Sequence, residues 1–169
     1  MNKIKAFTIL FLVSFALVLA GCSASIEEEA ENTISLLEET FSAEPTETNT
    51  SNDEISYYLP NSMEIESEQD NNLIIKEGKQ TFILFVNQIE EKDSKVMYES
   101  IIEKVDENVL EETFEDDNRF GYTIVQGLED NLYEVTVGIG GVKMTTEAKA
   151  NSVSESAELM MEIVSSVTY

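Results

Sequence analysis

The chain of 169 residues contains no histidine and no tryptophan, one cysteine and two prolines. Without histidine it lacks the commonest general base near neutral pH and the commonest zinc ligand. The single cysteine, Cys22, excludes an intrachain disulfide. Cations are scarce too, with 10 basic residues against 34 acidic ones and a net charge of −24. No basic patch of the size that nucleic acid demands can be assembled from so few, so no nucleic-acid partner is expected. Long hydrophobic runs are missing with one exception, at the N-terminus.

That exception runs from Ala6 to Ala20 and is broken only by Thr8 and Ser14. Lys3 and Lys5 precede it. A basic start and an apolar run shorter than the roughly 20 residues of a membrane span read as a signal peptide over 1–21. Leu19-Ala20-Gly21-Cys22 closes it and resembles the lipobox of bacterial lipoproteins. The resemblance implies peptidase recognition through Leu19, Ala20 and Gly21, and a covalent diacylglyceryl group on Cys22. Two acyl chains suffice for stable anchoring, at about 0.8 kcal/mol per buried CH₂. The expected location is the extracytoplasmic face of the cell membrane. Removing Lys3 and Lys5 leaves 34 acids against 8 bases, a charge of −26. Such a domain is soluble and is repelled by an anionic membrane.

Residues 22–54 read as an acidic helical stalk followed by a flexible linker. Ile26, Ala30, Ile34, Leu37 and Phe41 share one helical face, with glutamates over most of the rest. The early Glu27-Glu28-Glu29 suits a helix N-terminus. Glu44 to Asp53 has no large apolar residue and reads as tether.

Residues 55–169 read as the compact domain. Ile55 to Leu59 suggests a strand stopped by Pro60, and Met63 to Glu66 a second. A third, Leu73 to Lys76, follows the turn signal Asp70-Asn71-Asn72. Phe82-Ile83-Leu84-Phe85-Val86 is apolar on both faces, which predicts a central strand covered from both sides. Met97, Ile101, Val105 and Val109 recur every four residues and predict a helix over 95–109. Phe120 to Gln126 and Leu132 to Ile139 make the best hairpin. Gly140-Gly141 is expected to bend or bulge the sheet before a strand over 142–146. Ala157, Met160, Met161, Val164 and Val167 mark a helix over 154–166.

Tyr58-Leu59-Pro60-Asn61-Ser62-Met63 and the closing Ile163-Val164-Ser165-Ser166-Val167 resemble the opening and end of Mog1/PsbP-like domains. The chain as a whole resembles small lipoproteins of Gram-positive bacilli. The resemblance implies an α+β fold, an antiparallel sheet sandwiched by helices, that hosts binding and assembly factors more than enzymes. It supplies no catalytic residues.

Among candidate sites, Glu115-Asp116-Asp117-Asn118 is the densest acidic cluster of the domain. It reads first as a solvated turn, with a weak calcium site at Asp116 and Asp117 as the alternative, since no Asp-x-Asp-x-Asp-Gly loop accompanies it. Gly138-Ile139-Gly140-Gly141 lacks the spacing of a phosphate loop and is followed by strand rather than helix. Met144, Met160, Met161, Tyr57 and Tyr58 suit core filling better than a ligand groove. The expectation is a non-catalytic envelope module, membrane-bound through its lipid and partnered by an envelope protein. The alternatives are a cation or small-ligand binder and, behind it, a carboxylate-dependent hydrolase.

Overall fold

The computed structural model describes residues 25–69, 71–105 and 107–169. The segment expected to be a signal peptide, with Leu19, Ala20, Gly21 and Cys22, lies outside the described residues.

The alternating segments become strands β1 (Thr50–Ser51), β2 (Ser56–Tyr57), β3 (Glu64–Gln69), β4 (Asn72–Glu77) and β5 (Gln80–Val86), then β6 (Leu110–Glu115), β7 (Phe120–Gly127), β8 (Leu132–Ile139) and β9 (Val142–Lys149). β1 and β2 pair with each other. The other seven form one antiparallel sheet in the order β3-β4-β5-β9-β8-β7-β6. It consists of two meanders, β3 to β5 and β6 to β9, joined along β5 and β9. Three α-helices accompany it among the described residues: α1 (Ile26–Ser42), α2 (Val96–Ile102) and α3 (Val153–Ser166).

One face of the sheet is closed by α3 and α1. Leu73, Ile75, Phe82, Leu84, Val135, Val137 and Met144 point into it and are buried. From α3 come Ala157, Met160, Met161 and Val164, the stripe read from the sequence, all buried. Tyr57 and Met144 join them in the core, and Tyr58 is half-buried beside it.

The helix expected as a stalk is part of this core. Thr33, Leu37 and Phe41 of α1 are buried, and Ile26, Ala30 and Ile34 pack against the same cluster. Fully burying a leucine or phenylalanine contributes about 1.5–3 kcal/mol, enough to dock the stripe rather than leave it in water. The Ser154 hydroxyl of α3 donates to the Glu29 carboxylate at 2.7 Å. Ser25 caps α1 by accepting from the Glu28 amide.

The expected tether is strapped down as well. The Thr46 hydroxyl donates to Glu162 on α3. Asn49 donates to the Leu59 carbonyl and accepts from the Leu59 amide. Short polar side chains here satisfy the backbone locally, so a segment without apolar residues is held by hydrogen bonds instead. Among the described residues every buried one lies between Thr33 and Val167.

Two further expectations fail. The helix expected over 95–109 stops at Ile102, and Leu110–Glu115 is a strand paired with β7. Pairing with an apolar neighbour outweighs the helical spacing of Val105 and Val109. Gly140-Gly141 is a tight hairpin turn between Ile139 and Val142 rather than a bulge. Gly140 has φ +54°, and a Cβ there would meet the Glu91 carbonyl oxygen at 2.3 Å.

Candidate functional site

The second face of the sheet is only half closed. Its in-register rows follow from the pairing: Tyr122, Gly138, Lys143, Phe85 and Asn72 form one, and Ile124, Thr136, Thr145, Ile83 and Ile74 the next. Over β7, Tyr98, Ile101 and Ile102 pack on Phe120, Tyr122 and Ile124 in a small second core. Tyr98 meets Phe120 edge-on at 5.4 Å. Its hydroxyl donates to Glu111 at 2.6 Å, and that bond pushes the phenol up to about 12.

α2 has only seven residues and its roof ends there. β7 is therefore buried on both faces, whereas β5, expected in that role, is covered on one. Phe82, Leu84 and Val86 face the closed core, while Ile83 is 42% exposed and Phe85 half-buried. The result is a trough of about 810 Å³ floored by β4, β5, β9 and β8 and walled by α2 and the residues after it. Met97, Ile101 and Val105 supply the apolar wall, with Val96 57% exposed at the rim. This volume sits inside the usual range for small-ligand sites, roughly 300–1,000 Å³.

Lys143 rises from the middle of the floor. Among the described residues the ion pairs are Lys76–Glu66, Lys95–Glu115 and Arg119–Asp116, and Lys143 belongs to none. Tyr122, in the same row, is fully buried and its hydroxyl has no hydrogen-bond partner among the described residues. Burial pushes its phenol well above the usual range, so the hydroxyl keeps its proton and remains a donor.

The acidic candidates fall elsewhere. Asp116 accepts from the Asn118 and Arg119 amides and pairs with the Arg119 side chain at 2.7 Å. The Asn118 amide, with Arg119, holds its carboxyl below the usual range. Arg119 in turn donates to the Phe41 carbonyl and stacks on the Phe41 ring, which ties α1 to the β6–β7 turn. The Asp116 carboxylate thus serves this clamp, and Asp117 is exposed at the same turn. Among the described residues no three acidic side chains are grouped so as to hold a metal ion. A cleft of about 610 Å³ beside α3 is lined by Glu39, Glu44, Glu77, Glu155, Glu158 and Glu162, a spread of charge rather than a cage. In the glycine segment, the Gly140 amide donates to the Phe120 carbonyl at 2.9 Å.

Sequence reasoning missed the trough residues Ile83 and Lys143. The available signal was the apolar, two-faced reading of 82–86 together with a lysine in an apolar neighbourhood at 142–144. Among the described residues no helix is long and apolar enough to cross a membrane. Comparison of the chain with protein-family models, with curated proteins and with solved structures gives no match.

Proposed function

We propose that the chain is a membrane-anchored extracytoplasmic lipoprotein whose domain, of the Mog1/PsbP-like type, is a non-catalytic binding module of the cell envelope. The basic start, the short apolar run and Leu19-Ala20-Gly21-Cys22 support the anchor. The single observation that carries the binding role is the uncovered apolar half of the sheet beside α2. Exposed apolar floor of this kind costs free energy in water and is recovered when something covers it.

The anchor is tested by globomycin, which should leave a precursor with residues 1–21 attached. A Cys22→Ala protein should leave the membrane fraction, and its retention there would refute lipid anchoring. The binding face is tested by a photo-crosslinking side chain placed at position 83 or, as control, at position 158 on α3. Position 83 should give a discrete adduct in cells, dependent on Cys22, and position 158 should not. Equal labelling from both positions, or none from position 83, would refute the open face as the binding surface.

A further inference from the structure

We infer that the cleft between α3, the end of α1 and the strap at 43–46 binds a linear polyamine, a chain carrying two or more ammonium groups separated by short methylene runs. The cleft lies on the helix-covered side of the sheet, away from the trough, and its 610 Å³ suits a small ligand. Glu39 stands in the last turn of α1, Glu44 in the strap and Glu77 at the end of β4, while Glu155, Glu158 and Glu162 come from α3. Among the described residues no lysine or arginine lines the cleft, and α1, α3 and residues 43–46 contain none. Lys79, in the turn after Glu77, is exposed and belongs to no ion pair among the described residues. Neither helix has a basic residue in its last turn, so the partial negative charge of each C-terminus adds to that of the carboxylates.

Exposed carboxylates alone are satisfied by water; Ser165 is not. It continues the stripe of Glu155, Leu159 and Glu162 along the cleft side of α3, lines the cleft and is 4% exposed. Its hydroxyl has no hydrogen-bond partner among the described residues, whereas the neighbouring Ser166 hydroxyl donates to the Ile163 carbonyl at 2.6 Å. A buried hydroxyl left unpaired is costly, and an ammonium supplies the donor its oxygen lacks. Glu162 is fixed on the same wall by accepting from the Thr46 hydroxyl at 2.8 Å. The α3 carboxylates recur at three and four residues, about 4.5 and 6 Å of helix rise. Runs of three or four methylenes separate ammonium groups by similar intervals. Ala43, Pro45 and Leu159 offer those methylenes apolar surface between the charges. A bare divalent ion fits poorly, since among the described residues no three acids are grouped to hold one.

The test titrates spermidine into the whole chain, isolated from cells in non-ionic detergent, by calorimetry and thermal shift, with putrescine, butylamine and magnesium as the other titrants. Saturable one-to-one binding is expected, tightest for spermidine, with each added ammonium gaining roughly fivefold, the effect of one exposed ion pair. Glu158→Gln with Glu162→Gln should weaken spermidine by roughly tenfold or more, and a glutamine amide still accepts from Thr46. Glu103→Gln with Glu107→Gln removes equal charge elsewhere and should change the affinity by less than about twofold. Ser165→Ala should weaken spermidine a few fold without lowering the unfolding temperature, because the hydroxyl it removes has no partner to lose. Equal weakening by the two double variants, or displacement of spermidine by magnesium at equal charge, would overturn the site in favour of diffuse counterion attraction. Saturable magnesium binding tighter than that of spermidine would overturn it in favour of a metal site. An unchanged affinity in Ser165→Ala would overturn the placement of the ligand on this wall, and no saturable binding would overturn the inference outright. The open face is tested separately by crosslinking from position 83, and a bound polyamine gives no protein adduct at position 158.

Discussion

β5 and β7 read alike in sequence, and the fold treats them differently. Both present apolar residues to both faces of the sheet. On β7 the second face is roofed by Tyr98, Ile101 and Ile102, and the strand is buried throughout except at its end. On β5 the same face looks into the trough, with Ile83 and Phe85 part exposed. The difference is one of supply: α2 spans seven residues, too few to cover four strands. An apolar strand therefore does not guarantee an intramolecular cover. Where the cover runs out, the remaining apolar surface is the place to look for function.

The largest effect that tests this contrast comes from two phenylalanines three residues apart on β5. Phe82→Ala should cost about 3–5 kcal/mol in urea unfolding, as a buried phenylalanine does. Phe85→Ala should cost about 1 kcal/mol or less, as part-exposed positions do. Equal losses would show that the open face is as closely packed as the other. Next comes α1, whose acidic sequence reads as a stalk. Leu37→Ala should cost about 2–5 kcal/mol, and α1 amides should exchange with solvent no faster than those of α3. Rapid exchange confined to α1 would detach it from the core.

Smaller again is the turn that supports the trough wall. Gly140→Ala places a side chain at positive φ and against the Glu91 carbonyl, and should cost about 1–3 kcal/mol. The smallest effect concerns the roof over β7. The Tyr98 phenol is raised to about 12 by its bond to Glu111. Its contribution is complete below the ordinary tyrosine value and is lost as pH rises through about 12. Tyr98→Phe should cost about 1 kcal/mol near neutrality and flatten that alkaline loss. Asp116 has the opposite sign: its folded-state value is lowered. Its contribution is present above the ordinary carboxylate range and disappears as pH falls through the lowered value. Asp116→Asn should blunt acid destabilisation, and an unchanged acid limb in the variant would show that the Arg119 clamp adds nothing.

Legibility in the sequence tracked how far each element relies on its own pattern. β5, β7, β8, β9 and α3 were readable because alternation or helical spacing spans the whole element. β6 was not. Its apolar residues, Leu110 and Phe114, are four apart with glutamates between. Four is an even number and nearly one helical turn, so the spacing suits either structure. Pairing with β7 decides it, and that pairing is long-range. Glutamates on β3 and β6 also hide strand character while guarding both edges of the sheet against further pairing. The strap over 44–53 was unreadable because hydrogen bonds from Thr46 and Asn49 leave no hydrophobic trace. Of the candidate site, the apolar floor was visible as a two-faced strand. Its openness was not, since that depends on where α2 ends.

The docking of α1 on α3 has a kinetic consequence. The first helix of the core finds its partner only when the last one has been made, and β2 bonds to Thr168 beyond it. Contacts so distant along the chain form slowly. A nascent chain of this design has no complete core to close around until α3 has been made, and it stays threadable until then.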